Sequence, residues 1–119
     1  MASAAKLPVE ELAAIVECAN IFLLCTDTSG NIVEFNRTAA EITGFKREDV
    51  AGRPFLQALF AEEWQQQVGA LFAAAAQGIE AVNHTVNVKT KDGRSRQLLL
   101  NAAARTDGHG NPAGVVATG

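Results

Sequence analysis

Few side chains in this sequence are equipped for chemistry, and their spacing limits what they can do together. The candidates are Cys18, Cys25, Asp27, Asn36, His84 and His109. The two cysteines fall in a helical and a strand-like stretch, and no Cys/His group has the spacing of a zinc site. They read as buried thiols of a reducing compartment. Asp27 opens the stretch Asp27-Thr28-Ser29-Gly30, where a short carboxylate caps a turn. Asn36 precedes a helical run and can accept from its free N–H groups. No Ser/His/Asp set has a plausible catalytic spacing. The glycine-rich stretch around His109 is followed by no helix that could present its N-terminus to a phosphate, so His109 reads as a solvated loop residue.

His84 stands apart. Val82, His84, Val86 and Val88 alternate with Asn83, Thr85, Asn87 and Lys89, a period-two strand that turns the imidazole toward the valine face. An inward histidine is either a neutral, hydrogen-bonded core residue or a contact to a ligand, haem iron included.

The elements that must position these residues are legible from pattern. Pro8 to Ala19 forms an amphipathic helix with a stripe of Val9, Leu12, Val16 and Ala19. Ile21 to Asp27 is apolar on both faces and reads as a central strand, and a glycine turn joins it to Ile32–Phe35. Asn36 and Gly44 bracket a short helix; two further short helical turns follow, from Lys46 to Gly52 and from Arg53 to Phe60. The long helix carries Trp64, Val68, Leu71, Phe72 and Ala75 at helical spacing and ends at Gly78. A hairpin follows. A three-residue loop with Gly93 left-handed puts Val86 opposite Leu98 and His84 opposite Leu100, which gathers both apolar sets on one face. A last strand begins at Ala113. The 119 residues suffice for one domain.

Helices between two groups of strands predict an α+β fold: an antiparallel five-stranded sheet in the order 2-1-5-4-3, helices on one face. A ligand pocket is expected between the long helix and the inner sheet face, lined by Trp64, Val68, Leu71, Phe72, His84, Val86, Leu98 and Leu100. The net charge of −3, without a basic stripe, argues against nucleic acid. No apolar run reaches the ~18 residues of a membrane span, and the N-terminus lacks a signal-peptide core. The expected setting is the cytoplasm.

The stretch "TDTSGNIVEFNRTAAEITGFKREDVAGRPF" followed later by "KTKDGRSRQLLLNAAARTDGHGNPAGVVATG" resembles the PAS domain with its PAC segment, as found in sensor kinases and phytochrome-like proteins. The resemblance covers residues 21–119, leaving 1–20 as a flanking helix. It implies a sensory or dimerising module without catalysis of its own, a homodimer joined through the flanking helix, and an effector domain such as a kinase in the parent protein. The flavin-binding LOV subclass carries Asn-Cys-Arg-Phe-Leu-Gln; here the stretch is Gly-Arg-Pro-Phe-Leu-Gln, Gly52 to Gln57, and without the cysteine flavin photochemistry is not expected. Haem-binding relatives place a histidine on the long helix, where this chain has Trp64, while His84 matches their strand position on the other side of the haem. Haem therefore enters as the alternative cofactor, with His84 as its ligand.

Overall fold

The computed structural model describes residues 20–119. The expected N-terminal helix with Val9, Leu12, Val16 and Ala19, and Cys18 with it, lie outside the described residues. The elements are β1 (Leu23–Thr26), β2 (Ile32–Phe35), α1 (Arg37–Thr43), α2 (Arg47–Val50), α3 (Phe55–Leu59), α4 (Glu62–Ala76), β3 (Ala81–Lys89), β4 (Ser95–Thr106) and β5 (Pro112–Thr118). The five strands form one antiparallel sheet in the order β2-β1-β5-β4-β3, as the pattern predicts.

Local chemistry explains most element ends. Asn36 takes extended geometry and its side chain accepts from Ala39 N–H, while Gly44 at φ 79° closes α1 by donating to Ala40 O. The β3–β4 hairpin has the predicted register, with Val86 opposite Leu98 and His84 opposite Leu100. Gly93 sits at φ 85° in its loop.

The core lies between the sheet's inner face and the helices. Phe22, Phe35, Phe60, Val68, Phe72, Val86 and Leu100 meet there. Val68, Phe72 and Ala75 are the buried side of α4, the stripe that the helical spacing defines. Trp64 and Leu71 are partly buried and pack against the core from its edge. Trp64 lies in the first turn of α4, at the margin of the layer.

A correction concerns β3. Its register shifts between Ala81 and His84, and Asn83 there adopts φ 53°. The extra residue is a β-bulge, which twists and bends the strand locally. Val82, expected inward, is 64% exposed. His84 keeps its register position opposite Leu100, but its side chain is exposed.

Candidate functional site

The centre of the expected pocket is filled. Val68, Val86 and Leu100 are fully buried, with Leu98 and Phe72 nearly so, and all five belong to the closed core. With His84 at the exposed end of β3, the structure does not gather the eight expected residues around one open space. Of them, only Phe72 lines a second space, a cavity against β1 and β5.

That cavity lies at the opposite end of the inner face, against β1 and β5. It is an open cleft of about 550 Å³, within the usual range for small-molecule sites. Three walls make it. One is α4, which turns Gly69, Phe72, Ala73 and Ala76 toward the space; this 0, 3, 4, 7 spacing is one helical face. Large side chains there would close the gap to the sheet. The second is α3, where Phe55 stacks on Phe72 with centroids 4.1 Å apart and an interplanar angle of 25°, and Leu56 packs within 3.2 Å of where a Gly69 Cβ would be. The third is the sheet, through Thr26, Ala104 and Val115.

The turn between β1 and β2 forms the rim. Asp27 Oδ1 accepts from Ser29 N–H and Asn31 N–H, both at 2.9 Å, so Asp27 is the turn cap that its sequence suggests. Gly30 takes φ 83°. Its carbonyl accepts from Phe55 N–H at 3.0 Å, which fastens the rim to α3.

Two features hold the sheet end of the cavity in shape. Gly114 lies at φ 134°, and a Cβ built on it would fall 1.8 Å from Thr26 O; only glycine allows β5 to approach β1 this closely. Arg105, opposite Gly114, donates from Nη2 to Thr26 O at 3.0 Å and Ala113 O at 2.7 Å. Its Nε is buried without a partner among the described residues. The Arg105 guanidinium thus clamps the ends of β1, β4 and β5. It is also close enough to Cys25 to act on its ionisation. Burial pushes the Cys25 thiol up to about 12, with Arg105 opposing and Glu34 adding to the rise. Cys25 is therefore an inert buried thiol, as expected.

Thr26 lines the cavity together with the polar residues Ser29, Gln77, Arg105 and Thr106. Thr26 itself is 1% exposed.

Asn36 joins the other end of the same strand to the helices. Its Oδ1 accepts from Leu23 N–H at 3.1 Å and Ala39 N–H at 2.9 Å, and its Nδ2 donates to Ile21 O at 2.6 Å. Phe22 and Gly119 exchange both backbone hydrogen bonds at 3.1 Å. The entry to β1 and the exit from β5 are thus side by side, about 13 Å from the cavity at ~3.3 Å per strand residue.

Haem does not fit these residues. The histidine proposed as its ligand is exposed beyond the bulge, and Trp64 stands on α4 where a second ligand would be needed. Among the described residues no group of three or more His, Cys, Asp or Glu could hold a metal ion. Sequence reasoning missed Thr26, Gly69, Ala73, Ala76 and Gly114. A lone glycine within a strand pattern does point to close backbone approach; the small residues of α4 gave no signal, because alanine suits any helix.

Comparison with known proteins agrees with this architecture. The family model described as PAS fold matches residues 10–119. Phytochrome 1 of Selaginella martensii is 32% identical over 113 residues, covering 92% of this chain and 10% of that protein. Phytochrome D of Arabidopsis thaliana is 29% identical with the same coverage. The chain thus spans about a tenth of the length of these relatives. Among solved structures, a PAS domain from Colwellia psychrerythraea superposes with a TM-score of 0.77 at 16% identity, covering 92% of both chains. The PAS-B domain of Drosophila melanogaster Cycle with bound ethylene glycol gives 0.69 at 15% identity, covering 82% of this chain and 95% of that one.

Proposed function

Because the chain belongs to the PAS fold family, we propose that it is the non-catalytic sensory module of a longer signalling protein and passes a conformational signal to an effector such as a kinase. One observation carries this reading: β1 and β5, paired side by side, have the cavity at one end and the paired Phe22–Gly119 backbone at the other. A change in the cavity that shifts Thr26 or Gly114 acts on the same two strands that lead the chain in and out. Asn36 links that outlet to α1 through three hydrogen bonds.

The proposed assembly is a homodimer through the segment bearing Val9, Leu12, Val16 and Ala19, in the cytoplasm, without nucleic acid or membrane as partner. No described helix is long and apolar enough to cross a membrane.

Two measurements test the reading. In the parent protein, Asn36→Asp keeps the cap acceptors but removes the donor to Ile21 O, and it should change effector output in the unstimulated state. Unchanged output in a folded variant would reject the coupling. Light scattering should give a dimer for residues 1–119 and a monomer for a chain starting at Asn20; a monomeric full chain at high concentration would reject the dimer.

A further inference from the structure

We propose that a groove between the end of α1, α2 and the β3–β4 hairpin receives the acidic segment 9–19 of a second copy of this chain. This names the receiving surface for the dimer reading above, on which it rests. Two stretches, 46–53 and 89–96, hold seven of the ten lysines and arginines, three in the first and four in the second. They are far apart in sequence, and the fold brings them to one end. Lys91 N–H donates to Thr43 O at 2.7 Å, and Lys91 Nζ lies 4.0 Å from Asp49 Oδ2. Lys91 also lines two adjoining open grooves. One, of about 710 Å³, runs along Ile42, Gly44, Arg94 and Arg96. The other, of about 260 Å³, runs along Phe45, Arg53 and Ala58. Ile42, Phe45 and Ala58 are partly buried and pack on the core, so both grooves set apolar side chains beside cations.

The carboxylates at this end are engaged within the chain. Glu41 faces Arg37 at 3.9 Å, Asp49 accepts from Lys46 N–H at 3.1 Å, and Asp92 accepts from Arg94 N–H at 3.1 Å. Arg53 and Arg96 are exposed and enter no ion pair among the described residues. The complement of such a surface is a segment that mixes acidic and aliphatic residues. Residues 9–19 are of that kind: Glu10, Glu11 and Glu17, with no lysine or arginine, stand among Val9, Leu12, Ile15 and Val16. Their attachment point is close. Thr38 Oγ1, in the first turn of α1, donates to Asn20 Oδ1 at 3.2 Å, and the seven residues of α1, at ~1.5 Å each, end at the groove. In a two-fold pair each copy's segment enters the other's groove.

Sedimentation equilibrium on the whole chain at low salt, where charge pairing is least screened, is the experiment. Arg94→Glu with Arg96→Glu should weaken the dimer roughly tenfold or more, since like charges then face each other. Glu10→Arg with Glu11→Arg should weaken it by a similar factor, and the four changes together should restore it to within about threefold of wild type. A mere net-charge effect would leave the Glu10→Arg, Glu11→Arg variant no weaker than wild type, because it brings the acidic chain nearer neutrality. Arg94 and Arg96 are exposed, so circular dichroism should be unchanged by their reversal. A monomeric wild-type chain would reject the dimer reading and the groove with it. A dimer that withstands either reversal, or that does not recover when all four changes are combined, would overturn the groove while the dimer reading stands.

Discussion

The turn from Asp27 to Asn31 and the turn from Asp107 to Asn111 carry the same hydrogen bonds. In each, the first aspartate accepts through Oδ1 from the amides two and four residues on. In each, the aspartate N–H donates to the asparagine carbonyl, and the glycine N–H donates to the aspartate carbonyl. The glycines match too, Gly30 at φ 83° and Gly110 at φ 80°. Their surroundings differ. A Cβ on Gly30 would touch the Phe55 ring at 3.7 Å, whereas one on Gly110 would meet nothing within 4 Å. The first turn is the rim of the cavity; the second is exposed at Asp107 through Asn111. The lesson is that an Asp-x-x-Gly-Asn stretch specifies a loop, and only what packs against it makes that loop part of a site.

The comparison can be broken most severely from β5. Gly114→Ala would drive a methyl into Thr26 O, so we expect a loss of at least ~3 kcal/mol, the scale of strain at a special backbone position, read by urea denaturation. The rim turn would then detach from β5 while the Asp107 turn survives as a local loop. A variant as stable as the wild type would refute the close approach of β5 to β1.

A smaller effect is expected at the first aspartate. Asp27→Ala removes the acceptor for two amides in a half-buried turn and should cost about 1–3 kcal/mol. Asp107→Ala should lower the melting temperature less, because water replaces the lost acceptor at an exposed loop. Equal losses would mean that packing around the rim adds nothing to the shared motif. Gly110→Ala, with space but an unfavourable φ, should cost about 1 kcal/mol, well below Gly114→Ala in the same denaturation experiment.

The smallest effect concerns acid. The amides of His109 and then Asn111 hold the Asp107 carboxyl below its ordinary pKa. A carboxyl lowered by folding contributes stability that is present above its unfolded pKa and lost as pH falls through the folded value. Wild type should therefore lose slightly more stability than Asp107→Asn on going from about pH 5 to below about pH 3, around the ordinary aspartate value. Parallel pH profiles for the two proteins would show that the turn's hydrogen bonds do not favour the carboxylate.

What the sequence determined by itself is what short-range physics controls. Asn36 and Gly44 delimit α1 because cap and left-handed glycine act within a few residues. The register of β3 on β4 follows because one slip would turn Leu98 and Leu100 outward. The antiparallel sheet with helices on one face follows from a block of helices between two groups of strands. The site itself was not legible in this way. His84 belongs to an alternating pattern, but Asn83 inserts a bulge that leaves the imidazole at an exposed strand end; asparagine's tolerance of positive φ was the one local hint. The cavity is a difference between the volume its walls span and the volume their side chains fill. Thr26, Phe55, Gly69, Ala76 and Gly114 come from separate segments. No window of sequence contains that sum, so only the packing of α3 and α4 against β1 and β5 decided where the chain leaves a space.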